Sequence, residues 1–452
     1  MTLTFDEIAA VLGTRRVGDG IVRGISLDSR TTEPGDLFCA IVGANHDGHN
    51  FISQAVERGA VAVMTTRTVA SPVPRFVVES IEDGLAKIAL VIRATFGGKV
   101  AGITGSVGKT SVKEYLSGAV QDEFALKSPG NLNTEFGLPK VWMMLDSRAR
   151  FAVLEMAMRG PRQIAHLCSF SKPQYGVISS LGTAHIGELG SREAIAEAKC
   201  ELLRSLPQSG FATVPADDGF LDLMSESCGC PFQTFGFSED ADWRVAEWET
   251  DWKAGRTRAH VLHKSEKFQC DVEGMGSAAA RNAAAALACA VSMGVDAVTA
   301  SQAMMTARIP AGRMKSLFIH GAQIIVDVYN SSPESCSEAI ANLERIPAAG
   351  KRVAILGDMR ELGEFSKTFH LEIGERIARS NIDCLIVVGE EAALIGKGAE
   401  DAGFRGEIQY LKTAIEARPI VMGLREGSVA LLKASRAVEL EKALPESEVK
   451  LA

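Results

Sequence analysis

The chain has 452 residues, 46% hydrophobic, 6% aromatic and 23% charged, with a formal net charge of −8. At about 150 residues per domain this length points to three domains; no apolar run nears the roughly 18 residues of a membrane span, and an acidic balance without a basic tract argues against nucleic-acid binding. The opening MTLTFDEIAAVLGTRR lacks a secretion signal and the nine scattered cysteines give no disulfide framework, so a reducing cytoplasm is expected.

In chain order, residues 1–81 form a block of short strands and turns, including VRGISLDSRTTEPGDLFCAIVG. SIEDGLAKIALVIRATFGG then predicts a helix ending in paired glycines, which puts a domain boundary near Glu82. The middle block, 82–309, alternates apolar strands (KVAGIT, FAVLEMA, YGVISSLG) with helical stretches, the pattern of a mostly parallel sheet covered on both faces. Residues 240–273 alternate more strictly and suggest an antiparallel addition, before the Ala-rich helix RNAAAALACAVSMG. After Ile309-Pro310-Ala311-Gly312, the strands QIIVDVY, RVAILGD, CLIVVGE and SVALLKA recur between helices, a third, Rossmann-like α/β unit over 310–452. The expected fold class is therefore α/β in three domains: a small N-terminal α/β unit, a central phosphate-loop sheet and the C-terminal unit.

The segment GITGSVGKTS, residues 102–111, closes a strand and opens a helix. The strict pattern G-x-x-x-x-G-K-[ST] fails at Ile103, but the physical parts remain. Gly105 and Gly108 would let backbone N–H groups approach phosphate oxygens, Lys109 would reach the terminal phosphates, and the Thr110 hydroxyl would face magnesium. Nucleotide binding is favoured over an ordinary glycine turn.

Glu155 ends an apolar strand, where ligands of open α/β sheets gather, although a helix cap or a solvated strand end would look the same. His185 follows the strand YGVISSLG in the same manner. With 100° per residue and Ile195 at zero, Leu202, Leu203 and Leu206 fall at about −20°, 80° and 20°, and Lys199 at about 40° lies inside that apolar stripe. Either its ammonium snorkels to water, or the lysine is held in a site and chemically modified. Asp327 and Asn330 in VDVYN, and the loop GDMRELGE at 357–364, end strands as ligand contacts or as turns.

Together these segments resemble the Mur ligase family over nearly the whole chain and in the family's order. The resemblance runs through LDSR at 27–30, GANHDGHNF at 43–51, TGSVGKTS at 104–111, GNLNTEFGLP at 130–139 and LEMA at 154–157. It continues through AHIGELGSREAIAEAKCE at 184–201, PAGRMK at 310–315, VDVYNSSP at 326–333 and GDMRELGE at 357–364. The family's phosphate loop, T-G-x-x-G-K-[ST], accounts for the failed strict pattern. YN-x-x-P and GDM-x-ELG are most similar to the branch that adds D-alanyl-D-alanine to UDP-MurNAc-tripeptide; neighbouring amino-acid-adding ligases, folylpolyglutamate-type ligases and an ATP-dependent switch are the alternatives.

The resemblance implies ATP, Mg2+ and a carbamylated Lys199 as cofactors, with small-molecule substrates, no nucleic acid, no membrane span and a monomeric enzyme. Thr104, Gly105, Ser106, Val107, Gly108, Lys109, Thr110 and Ser111 would hold the phosphates, and Asn282, Arg313, Asp327, Tyr329 and Asn330 the rest of ATP. Thr110, Glu155, His185 and carbamylated Lys199 would hold metal, with Lys109 beside them in catalysis. Ser29, Arg30, His49, Asn131 and Asn133 would contact the UDP-linked substrate. Four positions depart from the family: Ala278-Ala279 stand where His-Asn is usual, Ala434 replaces a glycine, and Glu188 lies one place late.

Overall fold

A computed structural model describes residues 1–15, 18–43 and 45–449, so Ala44 of the GANHDGHNF segment and the last three residues of the 310–452 unit lie outside the described residues. Three main sheets follow one another along the chain. The first is parallel and four-stranded, in the order Gly24–Ser26, Asp36–Cys39, Ala62–Thr65, Arg75–Val77. Helix Ile81–Thr95 starts at the Ser80 cap and buries Ile81, Leu85, Ile88 and Ile92, one stripe at helical spacing. It packs both on helix Phe5–Leu12 and on helices Gly137–Met143 and Gln163–Ser171, and so joins the first unit to the second.

The second sheet has nine strands, in the order Glu266–Glu273, Arg256–His263, Trp243–Asp251, Phe232–Gly236, Phe211–Pro215, Tyr175–Ile178, Lys99–Thr104, Phe151–Glu155, Ala125–Lys127. The pairs on either side of Arg256–His263 are antiparallel and the others parallel, so the alternating stretch expected over 240–273 is an antiparallel extension of the central sheet. Strand Lys99–Thr104 lies between Tyr175–Ile178 and Phe151–Glu155, which brings three ligand-facing loops to one carboxyl edge. The Ala-rich helix Gly276–Ser292 buries Ala279, Ala280 and the run from Ala283 to Ala286, small side chains that let it lie close against helix Lys109–Ala119 and the sheet.

The third sheet has six strands, ordered Lys315–Ile319, Ala322–Asp327, Val429–Lys433, Arg352–Gly357, Cys384–Val388, Glu407–Leu411; the first pair is antiparallel and the rest parallel. Asp327 registers with Lys433, and Leu356 with Lys433, so the loops after Asp327 and Gly357 leave the sheet side by side. Among the described residues, no helix is long and apolar enough to cross a membrane.

Candidate active site

The phosphate loop is held open by its neighbour strand. Ser106 donates its N–H to the Ser180 carbonyl (2.8 Å) and Val107 donates to Ser180 Oγ (3.0 Å). Ser179 Oγ donates in turn to the Val107 carbonyl (2.6 Å). Gly105 and Gly108 have φ of +148° and +90°, and a Cβ on Gly105 would stand 2.1 Å from Ser179 Oγ, so glycine is required there. No side chain caps helix Lys109–Ala119, so the N–H groups of its first turn stay available to an anion.

Two lysines converge on this loop. Lys109 Nζ donates to the Gly105 carbonyl (2.7 Å) and Lys199 Nζ donates to the same carbonyl (3.1 Å). Lys199 is 1% exposed, which decides against snorkelling. Burial, then the charge of Lys109, holds its ammonium well below the usual lysine range; burial likewise lowers Lys109, opposed by Glu155. A lysine driven towards the neutral amine is a nucleophile suited to carbamylation.

Glu155 is 3% exposed and held at both carboxylate oxygens and at its backbone N–H. Oε2 accepts from the Thr110 hydroxyl (2.9 Å), Oε1 from Asn133 Nδ2 (2.9 Å), and its backbone N–H donates to Ser128 Oγ (3.0 Å). Asn133, expected at the UDP-linked substrate, thus borders the Thr110–Glu155 pair; Asn131 is exposed on the same loop. Among the described residues, no three His, Cys, Asp or Glu side chains form a metal cage. A single carboxylate and a hydroxyl beside a phosphate loop do suit magnesium, which takes one or two carboxylates and completes its shell with phosphate and water.

His185 makes no hydrogen bond to Lys199 or Glu155. It has φ +69°, and its Nδ1 lies 2.8 Å from Oε2 of Glu361 in the C-terminal unit, off the ideal ring N–H line. Arg313 and Glu361 both act electrostatically on Lys109, so the C-terminal unit faces the phosphate loop.

The remaining nucleotide candidates sit on the helix Gly276–Ser292 and on the C-terminal unit. Asn282 is buried against Gly108, and its Oδ1 has no hydrogen-bond partner; Arg313 Nε is likewise unpartnered, its guanidinium 4.1 Å above the Tyr329 ring. Such orphaned polar atoms beside a glycine loop fit a polar ligand. Asp327 Oδ2 accepts from Lys433 Nζ (2.7 Å), and the same ammonium donates to the Asn330 carbonyl (2.8 Å). Lys433, 1% exposed, is a site residue that sequence reasoning missed, as are Ser128, Ser180 and Glu361. Asp327→Asn is expected to weaken ATP binding roughly ten-fold and leave the acceptor KM unchanged, by calorimetric titration and steady-state kinetics. Asp327→Ala would instead strand the buried Lys433 ammonium, at a cost of about 3–5 kcal/mol in stability.

In the first unit, Ser29 Oγ donates to Gln54 Oε1 (2.6 Å), and Arg30 pairs with Asp28 while 80% of its side chain stays exposed. His49 has no free ring nitrogen: Nδ1 bonds Asp47 (2.7 Å) and Nε2 accepts the Thr66 N–H (3.2 Å). It shapes the loop and leaves Arg30 as the open group.

The GDMRELGE loop rests on His370, fully buried, whose Nε2 accepts the Met359 N–H (3.0 Å). Burial lowers its pKa from the ordinary 6.5. The unfolded chain therefore binds a proton that the folded one resists, and stability falls as pH drops from about 6.5 towards the lowered folded value. His370→Gln should flatten that slope, read from urea midpoints between about pH 5 and 7.

A strand, glycine turn, lysine and buried carboxylate at the carboxyl edge of a parallel sheet define a phosphate-loop, nucleotide-binding fold. Family models match in order: the Mur ligase family catalytic domain over residues 21–96, the Mur ligase middle domain over 103–290 and the Mur ligase glutamate ligase domain over 312–436. The chain is 30% identical to the UDP-N-acetylmuramoyl-tripeptide–D-alanyl-D-alanine ligase of Bacillus subtilis, covering 97% of this chain and 95% of that one. It superposes on MurF from Acinetobacter baumannii with a TM-score of 0.89, 26% identity and 98% coverage of both chains. MurF from Thermotoga maritima in complex with ADP gives 0.79, at 32% identity, covering 93% of this chain and 96% of that one. The chain belongs to the Mur ligase family.

Proposed function

We propose that the chain is an ATP-dependent ligase that joins D-alanyl-D-alanine to the terminal carboxylate of UDP-MurNAc-tripeptide, giving the pentapeptide for peptidoglycan synthesis. The observation that carries this reading is the convergence of Lys109, buried Lys199 and the Thr110–Glu155 pair on one phosphate loop, faced by Arg313 and Glu361. The acceptor is argued from VDVYNSSP and GDMRELGE and from relatives named for that reaction.

In this reading residues 1–81 hold the UDP-sugar through Ser29 and Arg30, residues 82–309 bind ATP, and residues 310–452 close over it. Lys109 and the first-turn N–H groups hold the γ-phosphate, and the tripeptide carboxylate attacks its phosphorus, breaking the bond to ADP, which leaves as the acyl phosphate forms. The dipeptide amine attacks the acyl carbon, phosphate leaves, and the new amide bond remains. Magnesium, when bound, neutralises charge on the phosphoryl group, with Thr110 and Glu155 as the residues that fit it. Carbamylated Lys199 turns an awkward buried cation into an anion near the same loop, and His185 is its proposed companion. Closure of the third unit excludes water that would hydrolyse the acyl phosphate. The reading takes the working unit as a monomer in a reducing cytoplasm, which nine unpaired cysteines suit.

The test is product mass with the tripeptide and either D-Ala-D-Ala or a single amino acid as acceptor. Pentapeptide from the dipeptide alone is expected; a tetrapeptide formed in preference would move the chain to an amino-acid-adding branch.

A further inference from the structure

We propose that Glu361, delivered by the C-terminal unit, is a positioning residue for His185 that sets the imidazole for its ligand. This deepens the ligase reading above and rests on it for the role of His185.

The loop after strand Arg352–Gly357 brings Glu361 into the central unit backbone first. The Gly187 N–H donates to the Glu361 carbonyl (3.1 Å), and a Cβ on Gly187 would lie 2.6 Å from the Gly363 nitrogen. Only glycine permits that approach. Glu361 and His185 both adopt left-handed backbones, φ +64° and +69°, which for non-glycine residues persist only where surrounding contacts fix them. The two strained residues face each other, with Glu361 Oε2 2.8 Å from His185 Nδ1 and Oε1 3.7 Å from Arg159. A carboxylate held against one imidazole nitrogen, here as a close ionic contact off the N–H line, favours one ring setting and leaves Nε2 for a ligand.

Two other glutamates of the same unit also dock, but on different chemistry. Glu334 accepts the Thr183 N–H (2.7 Å) and hydroxyl (3.0 Å), and Glu338 accepts the Ser277 hydroxyl (2.6 Å) and Ala278 N–H (3.2 Å). Both clasp the interface without touching an imidazole. Glu338 therefore separates the effect of docking from the effect of holding His185.

The experiment compares Glu361→Ala, Glu338→Ala, His185→Ala and the Glu361→Ala/His185→Ala double variant in the full chain. It reads kcat, the ATP KM, and Mn2+ affinity by paramagnetic resonance with a non-hydrolysable ATP analogue. Glu361→Ala should lower kcat and Mn2+ affinity by roughly 10–100-fold with little change in ATP KM, and should add almost nothing to the Mn2+ loss of His185→Ala. Glu338→Ala should leave Mn2+ affinity unchanged. Equal Mn2+ losses in Glu361→Ala and Glu338→Ala, no loss in Glu361→Ala, or a full further loss in the double variant would overturn the proposal. The Mn2+ measurement needs no acceptor, so a chain that makes no pentapeptide yet shows this pattern would lose the ligase reading and keep the Glu361–His185 pairing.

Discussion

Lys199→Ala is expected to abolish turnover, by roughly 10³-fold or more, while UDP-sugar binding stays intact. The lysine sits against the Gly105 carbonyl, 94 residues away in sequence, with no route for its ammonium to water. The proposed UDP-sugar contacts, Ser29 and Arg30, lie on the turn Ser29–Thr31 of the separate first unit. If Lys199 works as a carbamate, wild-type enzyme stripped of carbon dioxide should lose activity and regain it with bicarbonate, whereas Lys199→Ala should not respond. The stability change runs the other way. Burial lowers the folded-state pKa below the ordinary 10.5, so below 10.5 the unfolded chain holds a proton that the folded chain disfavours. Lys199→Met removes that cost and, in carbon-dioxide-free buffer, should be at least as stable as wild type. Wild-type turnover in Lys199→Ala would remove the lysine from the chemistry.

Glu155→Gln has the second large effect, a fall in kcat of roughly 10²–10³-fold with the fold preserved. The amide keeps the shape of the side chain and one acceptor, but its NH2 group now faces either the Thr110 hydroxyl or the Asn133 NH2, and the negative charge is gone. Magnesium dependence should shift to higher concentration in the same variant. A kcat within two-fold of wild type, with unchanged magnesium dependence, would mean that Glu155 serves the loop and not the metal.

Sequence carried the parts of this site that are local. The glycine turn with Lys109 and Thr110, the apolar stripe holding Lys199 and the strand ending at Glu155 each show in a window of a dozen residues, because period and turn chemistry are local properties. Contacts made by topology are invisible in that window. Lys433 ends an apolar strand and looks like a solvated lysine until Asp327 is placed beside it by the register of two parallel strands. Ser128 and Asn133 meet Glu155 across separations of 27 and 22 residues, through a strand, Ala125–Lys127, too short to stand out. Strands Phe211–Pro215 and Glu407–Leu411 escaped for related reasons, the first ending in proline and the second an edge strand with no fully buried residue. His49 shows the opposite problem, since a histidine in a polar loop looks like a ligand contact although Asp47 and Thr66 use both its nitrogens.

The most direct measurement is phosphate release from Mg-ATP by the purified protein with UDP-MurNAc-tripeptide and D-Ala-D-Ala, each omitted in turn. The account predicts release that needs both substrates and equals the pentapeptide formed. Release without the dipeptide, or none with every substrate present, would contradict it.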